Sequence, residues 1–392
     1  MRCLWITRQD PRPADSGELI YTLGLLTSLA TRPGFDITVL AHEPAKPCDG
    51  GPPLTWQLHG SIPAGRLKSL ASRLPADAFR LGNPVQRAAL RRLLERDWDW
   101  IVIDQAACAW ALPLIPKDAK LAYIAHNHET EVRRQVAADG AGSPLMRLAL
   151  KWDARKYGRM ESRLCRRADL ITAITPRDSA AFRGEAPGTP VCVLPPGYSG
   201  EIPAGPPRPI TAESPRQVVL AGAFEWLAKR RNLEAFLKAA AAPFQKAGIR
   251  FQVVGKADPE WFADLARQHP WADFTANVPS VAPYLDRARI GLIPEALGGG
   301  FKLKALDYIF RGLPLASVEA ALSGVPVDSL TEAIAAADPE TLALDIAARI
   351  DDLPFLNHAA RSALDACRDA FHWKDRGVAL AAALGNPSAL PA

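Results

Sequence analysis

The fold turns on one stretch, Ile290–Val318, which reads IGLIPEALGGGFKLKALDYIFRGLPLASV. Four apolar residues, Ile290 to Ile293, have the character of a short buried strand. Gly298-Gly299-Gly300 reads as a turn, Phe301 to Arg311 as a helix, and Leu315 to Val318 as the next strand. Strand, glycine turn, helix and strand form the repeating unit of a parallel sheet.

The same alternation extends outward. Upstream it predicts strands at Gln217–Ala221 and Arg250–Val254 and helices at Asn232–Ala242, Pro259–Gln268 and Val281–Arg289. The first half repeats it. Strands are predicted at Cys3–Thr7, Asp36–Ala41, Trp100–Asp104, Lys120–Ala125, Leu170–Ile174 and Val191–Leu194, with helices at Glu18–Ala30 and Val85–Arg96. Pro195 to Pro215 carries seven prolines and three glycines, a density that strands and helices do not tolerate. The expectation is an α/β chain of two Rossmann-like domains with parallel sheets facing a central cleft. Residues 1–198 form the first domain, 199–216 a hinge and 217–370 the second. Residues 371–392 form a terminal helix that packs back on the first domain.

At 392 residues the chain is long enough for two cores. Its 48% hydrophobic and 23% charged residues exclude a disordered chain. No run approaches a bilayer-spanning length. Cys3, Cys48, Cys108, Cys165, Cys192 and Cys367 are scattered singly, which speaks against a disulfide framework or zinc ribbon and for a reducing, cytosolic setting. A formal charge of +5 is too mild to imply nucleic acid. The basic residues are uneven, however. Arg147, Lys151, Arg155, Lys156, Arg159, Arg163, Arg166 and Arg167 are opposed only by Asp153 and Glu161, with apolar residues interleaved at helical spacing. The segment 147–167 is either a solvated helix face or a surface for anionic lipid headgroups.

Chemistry is expected at the carboxyl ends of parallel strands. Gly299 and Gly300 let a ligand approach bare backbone amides, and a helix start is a ready anion site. Lys302 and Lys304, placed in the first turn, oppose the helix dipole unless a phosphate neutralises them. Asp307, one turn on, can accept from a ribose hydroxyl pair.

These residues resemble the donor-binding stretch of bacterial GT-B glycosyltransferases, close to the large retaining group known as family 4. The shared features are a glycine turn, a helix bearing an acid (Asp307), and the Gly312-Leu313-Pro314 turn. The first half agrees through DSGELIYTLGLLTSLA (15–30), AHNHETEVRR (125–134), ITAITPRDSAAF (171–182) and VLPPGY (193–198). Where that group carries a glutamate eight residues before its second acid, this chain has Gly299. The stretch also resembles the inverting glucuronosyltransferase of xanthan synthesis, which points to Lys304 as the diphosphate lysine. Retention and inversion both stay open. Ala221-Gly222-Ala223-Phe224 and the basic run Lys229-Arg230-Arg231 resemble the second phosphate-side element, with Arg231 in the lysine position.

The resemblance implies hexosyl transfer from a nucleotide-diphosphate sugar, a UDP-sugar, to a glycan or lipid-linked acceptor without a metal or other cofactor. His126 then lines the donor-sugar site. If the reaction inverts, Glu129 or Asp104 has to take the acceptor proton, because Asn127 cannot. Asp15, Ser16 and Gly17 form the first, acceptor-facing loop, and read equally well as a capped helix start. A nucleotide-sugar 2-epimerase and a non-catalytic nucleotide-sugar-binding partner are the alternatives.

Overall fold

The computed structural model describes residues 1–44, 51–60, 66–138, 143–328 and 331–389. Cys48 and residues 390–392 of the tail lie outside them. The chain divides into two units, Met1–Ser199 with His372–Ala392, and Gly200–Phe371.

In the first unit seven strands form one parallel sheet: β1 (Arg2–Gln9), β2 (Asp36–His42), β3 (Thr55–His59), β4 (Trp100–Asp104), β5 (Leu121–Ile124), β6 (Leu170–Ala173) and β7 (Val191–Val193). Their order is β3-β2-β1-β4-β5-β6-β7, so the winding reverses between β1 and β4. Every residue of β4, WIVID, is buried, because helices cover both faces of a parallel sheet. Leu4, Ile6, Ile101, Ile103, Trp110 and Tyr123 belong to the core of this unit. Three of its helices begin with proline behind a polar cap, one of them Pro144–Arg167 behind Ser143. Asn83 accepts from Gln86 N–H at 3.0 Å ahead of Pro84–Leu93, and Thr175 accepts from Asp178 N–H at 3.1 Å ahead of Pro176–Glu185.

The terminal helix, Trp373–Gly385, lies against the helix Gly17–Ala30 of the same unit. The Trp373 ring fills the space where a Cβ on Gly24 or Gly197 would stand, at 2.4 and 2.5 Å respectively. Only glycine fits at either position. Trp100 Nε1–H donates to Leu384 O at 3.1 Å, fastening the far end of this helix to β4.

The second unit is a six-stranded parallel sheet: β8 (Gln217–Ala223), β9 (Arg250–Lys256), β10 (Ala272–Ala276), β11 (Ile290–Ile293), β12 (Leu315–Val318) and β13 (Ala333–Ala336). Its order, β10-β9-β8-β11-β12-β13, reverses between β8 and β11. Phe236, Phe244 and Phe251 meet edge to face in its core, with centroids 5.5–6.0 Å apart.

The two parallel-sheet α/β units have the layout expected of the GT-B fold class. Three helices differ clearly from the sequence expectation. The one expected over Val281–Arg289 is only Ala282–Leu285. The one expected from Asn232 starts at Leu227 and runs through Pro243 to Ala247, which takes Lys229, Arg230 and Arg231 into the helix. The one expected from Phe301 starts at Lys304, because Gly298 and Gly300 at φ +107° and +72° carry the turn further along the chain. Lys302 therefore precedes the helix and does not sit in its first turn.

Candidate functional site

In the second unit the polar groups gather where β8 and β11 part. Beyond β11 the chain leaves the sheet through Pro294 and turns Glu295 inward, so that this carboxylate is only 6% exposed. Lys304, nine residues on, reaches back and places Nζ 2.5 Å from Glu295 Oε1. The same ammonium lies beside the end of β8, where a Cβ on Gly222 would meet it at 3.4 Å. Tyr308 fixes the helix against both strands, its hydroxyl accepting from Ala221 N–H at 2.9 Å and donating to Leu292 O at 3.3 Å. Asn232 pins the start of the glycine loop through two bonds with Leu297, at 2.8 and 2.9 Å. Lys302 Nζ donates to Gly299 O at 2.6 Å.

Lys229 completes a cluster of three lysines. Burial and the neighbouring Lys304 charge push its ammonium down to about 8, although Glu295 pulls the other way. For Glu295 burial favours the neutral acid. The charges of Lys304, Lys302 and Lys229 outweigh that and hold it below the usual carboxylate range. Its second oxygen, Oε2, has no hydrogen-bond partner among the described residues. The structure thus brings together Lys229, Lys302 and Lys304 with the turn of Gly299 and Gly300. Half-buried Asp307 stands on the helix that Lys304 opens. Arg230 is occupied elsewhere, its Nε donating to Phe224 O at 2.9 Å and its guanidinium lying over the Trp261 ring. Half-buried Arg231 follows it on the helix. Glu295 was not foreseen from sequence. The available signal was its place just past the carboxyl end of a strand at the reversal point.

In the first unit the corresponding reversal lies between β1 and β4, and Asp104 ends β4. Asp104 is fully buried. Its Oδ2 accepts from Trp5 Nε1 at 3.0 Å and from Thr22 Oγ1 at 2.8 Å, and its Oδ1 lies 2.7 Å from His126 Nε2. This carboxylate holds the His126 imidazole. Tyr21 packs edge-on to His126 at 5.0 Å and donates to Leu194 O at 2.7 Å.

Glu129 opens the helix Glu129–Ala138 and is also engaged, accepting from Asn127 Nδ2 at 3.0 Å and pairing with Arg133 at 3.2 Å. The start of that helix is held by buried Glu161, which accepts from Glu129 N, Thr130 N and Thr130 Oγ1 at 3.1, 2.7 and 2.6 Å, and from Tyr123 at 2.9 Å. His128 turns to Glu185 at 2.9 Å, away from the Asp104 partner of His126. In the first loop, Ser16 occupies the cap position of the helix Gly17–Ala30 but its side chain makes no capping bond, and Asp15 and Gly17 are exposed.

The chain was then compared with known proteins. The family described as "Glycosyl transferases group 1" matches residues 215–352, a span inside the second unit that contains the three lysines and Glu295. No curated protein matches. Among solved structures, the chain is similar to a sucrose-phosphate synthase from Thermosynechococcus elongatus, with a TM-score of 0.73 at 16% identity over 99% of both chains. It is similar to an Escherichia coli trehalose-6-phosphate protein bound with UDP-2-fluoro glucose (TM-score 0.66, 16% identity, 98% of this chain and 99% of that one). HepE from Anabaena, solved in complex with UDP-glucose, gives a TM-score of 0.64 at 13% identity over 98% of this chain and all of the other. These likenesses establish the fold.

Proposed function

We propose that the chain is a glycosyltransferase that moves a hexosyl group from a nucleotide-diphosphate sugar, a UDP-sugar, to a hydroxyl of a glycan or lipid-linked acceptor in bacterial surface-polysaccharide or related glycan assembly. One observation carries the reading. Lys229, Lys302 and Lys304 converge beside a glycine turn at the reversal point of a parallel sheet, inside the span that matches the glycosyl transferase family. Three ammonium groups held so close repel one another and favour the arrival of further negative charge. Glu295 supplies one carboxylate, and a diphosphate supplies the rest. When the sugar leaves, charge grows on that diphosphate, and lysines already in place stabilise it without reorganisation. The amides of Gly299 and Gly300 and the Arg231 guanidinium are assigned to the same anion, and Asp307 to the ribose. The lysines take over the charge neutralisation that a metal supplies elsewhere. On the first unit we assign His126, oriented by Asp104, to the reacting sugar, and the loop of Asp15, Ser16 and Gly17 to the acceptor. Glu129 orients Asn127 beside it. The working place is the cytoplasm, at the inner face of the plasma membrane.

A panel of nucleotide-sugars scored by thermal shift and by slow donor hydrolysis tests this reading. A UDP-sugar is expected to stabilise the chain and to be hydrolysed slowly without acceptor. Conversion of the donor to its 2-epimer would identify an epimerase instead. Donor binding with neither hydrolysis nor transfer would identify a binding protein.

The cluster also sets a pH dependence. Lys229 loses its proton near pH 8 in the ligand-free chain, and only the charged form attracts a diphosphate. UDP affinity is therefore expected to be highest near pH 7 and to fall roughly tenfold as pH rises past 9. Calorimetric titration across that range checks it, and Lys229→Gln is expected to flatten the profile.

A further inference from the structure

The long helix Pro144–Arg167 shows two things at once. Its first turns carry large apolar side chains into solvent, with Leu145 80%, Leu148 66% and Trp152 44% exposed. Its next turns line an open groove of about 810 Å³ between this helix, the helix Glu129–Ala138 and the helix Pro176–Glu185. Lys151, Arg155 and Arg159 line it from the long helix and Arg134 from the helix Glu129–Ala138, together with Ala154, Gly158 and Ala181. All four cations are exposed. None has an acidic partner within salt-bridge reach among the described residues. The acids nearby are taken: Glu185 pairs with His128, Glu161 is buried under Thr130, and Glu131 accepts from Gln135. Leu145, Leu148, Trp152, Arg155 and Arg159 recur at steps of three and four, which places the apolar ridge and the cations on one face.

A solvated helix face has no reason to expose three large apolar groups together, and a second copy of this chain would set cation against cation. We propose that this face docks on an anionic bilayer. The groove takes the phosphate of an acidic phospholipid headgroup between Arg134 and the row Lys151, Arg155, Arg159. Leu145, Leu148 and Trp152 enter the acyl boundary beside it. The site is separate from the three lysines of the second unit and does not depend on their chemistry. It gives the membrane location proposed above a specific surface.

The test uses the full chain in co-sedimentation with phosphatidylcholine vesicles, with and without phosphatidylglycerol. Binding is expected only with phosphatidylglycerol and is expected to weaken in high salt. The double variant Lys151→Gln/Arg155→Gln removes two exposed charges, so folding is not at stake. It is expected to lower the vesicle partition coefficient about thirtyfold, at roughly five- to sixfold per charge, while leaving UDP affinity unchanged. Trp152→Ala is expected to lower partition to the phosphatidylglycerol vesicles as well. Equal binding to neutral and acidic vesicles, or full binding by the double variant, overturns the proposal. So does a concentration-dependent dimer that Leu148→Ser abolishes, which would show that a second copy covers the face. Loss of UDP binding in the wild-type chain with vesicle binding intact would sink the glycosyltransferase reading and leave this one standing.

Discussion

Lys304→Ala is expected to lower kcat/KM for sugar transfer about a hundredfold, a loss of ~2–3 kcal/mol at a site of developing charge. It is also expected to destabilise the chain, and the two effects can be separated. Lys304 is the direct partner of buried Glu295, at 2.5 Å. Removing it leaves a carboxylate that is 6% exposed and has only the other two lysines for company. A buried charge that loses its partner costs about 3 kcal/mol. The double variant Lys304→Ala/Glu295→Gln removes the stranded charge along with its partner, so the urea midpoint is expected to return most of the way. Turnover is not, because the diphosphate still lacks its lysine. Unchanged turnover in the single variant discards Lys304 as a donor ligand. Recovery of turnover together with stability in the double variant would make its role purely structural.

The second large effect lies in the first unit. Asp104→Ala is expected to cost about 3–5 kcal/mol in urea unfolding, since three buried groups, the Trp5 indole, the Thr22 hydroxyl and the His126 ring, lose one shared acceptor. Asp104→Asn separates fold from function. Its carbonyl oxygen still accepts from Trp5 and Thr22, so most of the stability stays. Its amide group then faces His126 Nε2, which has to accept, and the ring proton moves to Nδ1. Turnover is expected to fall roughly a hundredfold, with the tautomer change read by nitrogen NMR of the imidazole. An Asn variant with the altered tautomer and unimpaired turnover would remove His126 from the reaction.

Much of this architecture can be read from residue order. The buried strands at Trp100–Asp104, Ile290–Ile293 and Leu315–Val318 stand out because central parallel strands are apolar on both faces. The edge strands do not. Thr55–His59 and Ala272–Ala276 are half-exposed along most of their length and carry polar residues that read as loop. Ala333–Ala336 is built almost wholly of alanine, a weak strand former. The helix Leu227–Ala247 was expected too short at both ends, since a Lys-Arg-Arg triplet interrupts its apolar period and Pro243 looks like a stop. Tertiary packing of Phe236 and Phe244 carries the helix through that proline.

The candidate site was legible in its donors and not in its acceptors. Glycines followed by lysines announce an anion, whereas the pairing of Glu295 with Lys304 depends on how far the turn extends, which residue types alone do not fix. Likewise Asp104 looks like an available acid at a strand end. Only the packing of Trp5, Thr22 and His126 around it shows that both its oxygens are engaged.

The seating of Trp373 between Gly24 and Gly197 bears on the order of biosynthesis. A ribosome delivers Gly24 and Gly197 first, then the whole continuous span Gly200–Phe371, and only afterwards the tryptophan that closes over both glycines. A released chain that ends before residue 373 therefore keeps the second unit whole and leaves the first with an open slot along one helix. Such a truncated chain should hold a protease-resistant second unit beside a sensitive first one.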